Sequence, residues 1–210
     1  MKSWVGLPAL MGAVLLSAAS HASIISVSSN TSSLGASAQI IAAPTSVLDD
    51  AATNTAQQGF NEKQTVKLAS DLNVESQNIV QGTVVDSHML FFNTADSAVN
   101  SHKNVTWTFS GTILAVYTSI NGASEAATNS LLGNPGTTYY PGTFDNRGLE
   151  GNDRPIDWFG NTLLLSMVVS EPGDWIRVVT DAPEPAILGV FGIGMLMVGG
   201  LSRRRQKRAL

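Results

Sequence analysis

The chain closes on a sixteen-residue run without a charge, Ala186 to Leu201. Five cations in six positions follow it: Arg203, Arg204, Arg205, Lys207 and Arg208. As a helix the run reaches about 24 Å. That is short against a hydrocarbon core of about 30 Å, so a bilayer must thin locally or the flanks must help it span. Cations beside an apolar span stay cytoplasmic, which puts the rest of the chain on the other side. Pro183 and Pro185 precede the run and suit the first turn of a helix, where a missing N–H costs little. The other end is also a targeting segment. Lys2 is the one early cation, Val5 to Ala19 is apolar and small, and Ser20-His21-Ala22 offers small residues where a signal peptidase reads. This predicts a secretory signal peptide over 1–22, cut after Ala22; a cut after Ser20, with Ala18 as the outer small residue, is the alternative. The fold is therefore to be sought between residues 23 and 181.

That interval is one domain's worth of chain and can bury a core. Of 12 basic residues, Lys2 leaves with the signal peptide and five leave with the tail; six then face 16 acidic residues, a net charge near −10. Such a surface does not seek nucleic acid or anionic lipid. There is no cysteine, so disulfides, thiol catalysis and thiolate metal sites are excluded. Residues 23–58 are rich in Ser, Ala and Thr and read as a lead-in, linker-like at Ser28 to Ser33 and mobile at its start. Within it, Gln39-Ile40-Ile41 is an expected edge strand.

From residue 59 the pattern is that of strands. Val105, Trp107 and Phe109 alternate with polar residues, as do Leu163, Leu165, Met167 and Val169. His88 to Phe92 is apolar on both faces, as a strand inside a sandwich can be. Asn100 to Asn104 reads as a polar turn, and Asn121-Gly122 is a strong turn signal. One helix is expected over 125–132, capped by Ser124 and stopped by Gly133. A long loop runs from Asn134 to Asp157. Glu171-Pro172-Gly173-Asp174 turns the chain into a last strand, Trp175 to Thr180. Short strands, Gly/Pro/Asn turns and a single short helix predict an all-β, antiparallel β-sandwich of jelly-roll-like form over 59–181. A signal peptide precedes it, and a sorting tail with a transmembrane helix over 186–201 follows in residues 182–210.

The chemistry on offer is thin. Asp86, Ser87 and His88 are adjacent in one expected strand, so Ser87 points away from the other two and no triad converges. His102, in the expected turn, should be solvated, and two histidines cannot make a multi-histidine zinc site. Asp145, Glu150, Asp153 and Asp157 form the densest acidic group, with Asn146 and Asn152 beside them. Oxygen-rich loops of this kind hold Ca²⁺, and Asp145 and Asp153 are the candidate ligands. The spacing fits no EF-hand, Arg147 and Arg154 compete as partners, and a solvated loop without metal or other cofactor is the simpler reading. Trp107 belongs to a core face. Tyr139, Tyr140 and Trp158 lie in expected loops and are the candidates for stacking on sugar rings.

Pro183-Glu184-Pro185, the short apolar span and the Arg-rich end, in that order and behind an N-terminal signal peptide, resemble the PEP-CTERM sorting signal of bacteria. The resemblance implies recognition and removal of the tail by an exosortase, a membrane cysteine transpeptidase-like enzyme. Proteins of this kind belong to Gram-negative bacteria that make exopolysaccharide, and are sorted to the outer surface or matrix. Val84 to His88, Thr106 to Phe109, Arg147 to Glu150 and Ser170 to Val178 also resemble an ectodomain type that recurs ahead of such tails and carries no settled activity. The expectation is a non-enzymatic structural or adhesive protein of the biofilm matrix. Before processing it is held in the inner membrane by its tail; afterwards it lies at the surface or in the matrix. Its expected partners are signal peptidase, the exosortase-like enzyme, the membrane through the tail and exopolysaccharide. A carbohydrate-binding module on the same fold is the alternative. A hydrolase, which needs convergent carboxylates in a cleft, stands last.

Overall fold

The computed structural model describes residues 22–95 and 97–182. The signal peptide up to His21, the motif Pro183-Glu184-Pro185, the apolar span and the terminal cations lie outside the described residues. Among the described residues no helix is long and apolar enough to cross a membrane.

The described chain is all-β with one short helix. One sheet has four strands in the order β1 (Ile24–Ser28), β8 (Asn100–Phe109), β11 (Thr162–Val169) and β10 (Ile156–Phe159), all antiparallel. The second sheet has the order β2 (Gln39–Ile40), β3 (Gln58–Asn61), β7 (Val84–Phe92), β12 (Asp174–Asp181) and β9 (Ile113–Tyr117), and β4 (Val66–Lys67) continues the edge of β7 beyond β3. Only the short β2–β3 pair is parallel within these named ladders. A hairpin of β5 (Leu72–Val74) and β6 (Gln77–Ile79) and the helix α1 (Ala123–Leu132) complete the described elements apart from a 3₁₀ turn at Asp49–Ala51.

The alternating residues of β8 and β11 meet the second sheet. Val105, Trp107, Phe109, Leu163, Leu165 and Met167 share one buried cluster with Leu90, Phe92, Val116, Ile176 and Val178. β-branched and aromatic side chains fit such a pleated, buried surface. The outward face of the four-stranded sheet carries polar or half-buried residues. The six-stranded sheet is covered on its outward face too: Leu68, Leu72, Val74, Ile79 and Leu132 pack on Val85, Tyr117 and Val179 at one end. At the other, Val47, Tyr139 and Phe144 pack on Phe60, Met89, Phe91 and Trp175.

Five expectations are corrected. Asn100 to Asn104 is strand, not turn: β8 carries an extra residue opposite Ser166, since Leu165 pairs with Val105 but Met167 with His102. Asn104 takes a positive φ of 56° there, and its N–H donates to Ser166 Oγ at 2.9 Å. The bulge breaks the alternation and hides the strand. His102 is accordingly buried. Its Nδ1 accepts the Gln57 N–H at 3.1 Å and its Nε2–H donates to Asn30 O at 2.9 Å. The start of the lead-in is β1, held along the edge of β8. Trp158 lies in β10, not in a loop, and α1 starts two residues before Glu125, with Asn121 Oδ1 accepting the Ala123 N–H at 3.1 Å. Gly122, at φ 67°, precedes the helix; a Cβ there would lie 2.4 Å from Arg147 Cδ, so backbone and packing both require glycine.

Candidate functional site

Three carboxylates converge where the long loop meets the start of β12. Asp153 is fixed by the backbone: the Glu150 N–H donates to its Oδ2 at 2.5 Å and the Val168 N–H to its Oδ1 at 2.6 Å. Glu150 stands beside it, and Asp174 opens β12 directly after the Pro172-Gly173 turn. Oxygen atoms of Glu150, Asp153 and Asp174 all lie within 4.8 Å of one another. Asp174 is 1% exposed. Its Oδ2, like Glu150 Oε1, is buried without a hydrogen-bond partner. Burial raises all three carboxyl groups. Asp174 is pushed well above the usual carboxylate range, with the charges of Asp153 and Glu150 adding to burial. Glu150 rises to about 7, through burial and then its hydrogen bond and charge contact with Asp153. The two backbone donors work against the rise at Asp153. A pocket of about 220 Å³ adjoins the group, lined by Asn146, Glu150, Asn152, Ser170 and Asp174 among others. A second acidic group, Asp49, Asp50 and Glu171, is mostly exposed.

A different charged network lies on the outward face of the six-stranded sheet. Arg177, fully buried in the middle of β12, sets its Nε and Nη2 against Glu62 at 2.6 and 2.8 Å. Its Nη1 donates to Glu125 O and Thr128 Oγ1 at 2.7 and 2.8 Å, and Nη2 also reaches Asn129 Oδ1 at 2.9 Å. Every N–H of the guanidinium fork is thus engaged. Ser87 donates to Glu62 Oε2 at 2.6 Å. Arg147 pairs with Glu125 at 2.8 Å and donates to Gly142 O at 2.9 Å. Burial acts to lower Arg177, and the charge and hydrogen bonds of Glu62 outweigh it and raise the guanidinium above its ordinary range. Burial lifts Glu125 to about 7 against the pull of Arg147. This network bolts α1 and the long loop to the sheet; its charges are spent on one another.

The residues singled out in the sequence are dispersed. Asp153 is in the carboxylate group; Asp145 is exposed and outside it. Tyr139 is half-buried, with the Arg177 guanidinium 5.6 Å from its ring centre, and its hydroxyl accepts the Asn134 N–H at 2.8 Å. Tyr140 is exposed and stands edge-on to Phe144, with Arg147 5.5 Å from its ring centre. Trp158 packs from β10 against the core between the sheets. These three rings form no common platform. His88 and Ser87 point to opposite faces: the His88 Nδ1–H donates to Asn61 Oδ1 at 2.9 Å, while Ser87 serves Glu62. No protein-family model, curated protein or solved structure matches the chain. Asp174 is the residue that sequence reading missed; Glu150 was placed in the acidic group with Asp153 but not among the candidate ligands. A carboxylate at the head of a strand whose one other charge up to Val179 is Arg177 was the available signal.

The two extremities of the described chain also meet. Ala22 is buried, and its N–H donates to the buried Asp86, which also accepts the Thr65 N–H. The Ala182 N–H donates to Val84 O at 3.1 Å. Between them sits Gly111: a Cβ there would lie 2.2 Å from Asp181 O and 3.0 Å from Ala22 Cβ.

Proposed function

We propose that this is an exported bacterial protein of the cell surface or extracellular matrix, sorted through a tail of the PEP-CTERM kind, with a structural or adhesive role rather than a catalytic one. Its domain is read as a β-sandwich of jelly-roll-like winding, since from β7 to β12 every connection except β10–β11 passes from one large sheet to the other. The observation that carries the reading is the meeting of Ala22 and Asp181 at Gly111. A domain whose entry and exit lie side by side can be carried on two membrane-directed segments without being pulled apart, and afterwards presents the rest of its surface outward. The fully engaged Arg177 fork favours a structural role for that network. The tail acts as a removable address: its span is marginal in length, its cations Arg203 to Arg208 arrest export, and Pro183-Glu184-Pro185 then stands at the outer boundary for an exosortase-like enzyme. The alternative, a carbohydrate-binding module, draws on the shallow groove of about 260 Å³ at Asp157, Trp158, Phe159, Thr162 and Leu164.

Mass spectrometry of both termini of the protein recovered from its host, with fractionation, tests the reading. The expected product begins at Ser23 and ends before Arg203. Cleavage after Ala22 removes the donor that Asp86 holds; a product beginning at His21 would keep that bond and correct the cut site. A product that retains Arg203 to Arg208 would make the segment a simple membrane anchor and end the sorting proposal.

A further inference from the structure

We propose that Glu150, Asp153 and Asp174 bind one Ca²⁺ ion, which staples the long loop to β11 and β12. The proposal stands apart from the sorting reading. Three carboxylates drawn within 4.8 Å and largely removed from water repel one another and must be neutralised. Among the described residues no lysine or arginine forms an ion pair with any of them. Arg147 and Arg177 are held by Glu125 and Glu62, and Lys103, which acts on Asp153, is exposed. A proton shared between Glu150 and Asp153 relieves one charge and leaves Asp174, which is buried with Oδ2 unpartnered and has a carboxylate oxygen within 4.8 Å of the other two.

The donor set selects the ion. All the donors are oxygens, and no histidine or cysteine joins them, which disfavours zinc and copper. Ca²⁺ takes 6–8 oxygens at about 2.3–2.6 Å in irregular geometry, whereas Mg²⁺ demands a near-ideal octahedron. Three carboxylates supply up to six oxygens. The adjoining pocket offers the side chains of Asn146, Asn152 and Ser170 and has room for water. The backbone holds Asp153 in place from two directions, so part of the site is set before an ion arrives. The site joins residues about 20 positions apart, Asp153 in the loop and Asp174 at the strand, and so fastens a segment that has little regular structure of its own.

The test uses the full-length chain, stripped with a chelator and kept in detergent. Thermal unfolding is followed with and without about 5 mM Ca²⁺, a concentration suited to extracellular sites. Ca²⁺ should raise the midpoint by several degrees, and a chelator should reverse it. Asp174→Asn should lose that increment, with Ca²⁺ binding in calorimetry weakened by about tenfold or more. Asp145→Asn, outside the group, should keep it. If Asp174→Asn does not fold, Glu150→Gln takes its place. A wild-type midpoint that Ca²⁺ leaves unchanged means the group is neutralised by protons alone and overturns the proposal. So does an Asp174→Asn or Glu150→Gln protein that gains as much as the wild type. An equal or larger shift with Mg²⁺ overturns the assignment of the ion.

Discussion

The two sheets bury their inward faces alike and differ in their outward ones. β8 and β11 of the four-stranded sheet show polar and half-buried residues to solvent at alternate positions, such as Thr106, Thr108 and Leu164. β7 and β12 of the six-stranded sheet are buried along almost their whole length on both faces. A sheet wet on one side writes its position into the sequence as alternation; a sheet covered on both sides does not. The covered face also needs a means of holding its cover. Here that means is ionic: Arg177 stands in an otherwise largely apolar strand and gathers Glu62, Glu125, Thr128 and Asn129 of α1 and Tyr139 around one guanidinium.

The largest expected effect follows from that difference. Arg177→Met leaves Glu62 buried and without its cation, and should cost about 3–5 kcal/mol in denaturant unfolding. Thr106→Ala, on the outward face of the other sheet, should change stability by less than about 0.5 kcal/mol. An Arg177→Met loss below about 1 kcal/mol would mean that α1 is held by its apolar contacts alone, and the contrast between the two faces would fall.

The same difference decided what the sequence could tell. Val105, Trp107 and Phe109, and Leu163 to Val169, were legible because one face is wet. His88 to Phe92 was legible as a strand, but its two faces were not distinguishable. Asn100 to Asn104 was hidden because one bulge shifts the polar and apolar positions out of phase. Ile24 to Ser28 was expected to be mobile because an edge strand of Ile, Ser and Val is made by its partner β8 rather than by its own pattern. In the carboxylate group, proximity in sequence misled. Asp145 lies near Asp153 along the loop but outside the cluster, whereas Asp174 reaches it from another strand. Burial of Asp174 could not be read from one residue. The expected targeting segments rest on hydropathy and charge along the chain and lie outside the described residues.

An intermediate effect separates the two layers against β7 and β12 by pH. His88 lies between the sheets, its ring 4.9 Å from that of Phe109, and burial lowers it from 6.5 to about 3. Between those values the unfolded chain binds a proton that the folded chain refuses, so stability falls as the pH drops below 6.5. His102, also lowered by burial, acts in the same direction. Glu125, in the outer layer, is raised from 4.5 to about 7, so between these values the folded chain binds the extra proton and acid stabilises it. Replacing His88 by Gln should remove about 2–3 kcal/mol of the loss between pH 6.5 and 4. Glu125→Gln should steepen the loss over the same range. Urea unfolding as a function of pH measures both, and parallel profiles for the two variants would show that the layers do not titrate with opposite sign.

The smallest expected effect is at Phe159, the last residue of β10, which is 91% exposed at the edge of the four-stranded sheet. In a monomer its ring contributes almost no buried area, so Phe159→Ser should shift stability by less than about 0.5 kcal/mol. Trp158, its neighbour, faces the core and provides the contrast within one strand: Trp158→Ala should cost more than Phe159→Ser, because alternate residues of a strand point to opposite faces. The measurement is denaturant unfolding at two protein concentrations. A Phe159→Ser loss above about 1 kcal/mol that grows with concentration would place the ring in a contact between copies of the chain. The outward face of the four-stranded sheet would then be covered as well, only by a partner instead of by the chain's own helix and loops.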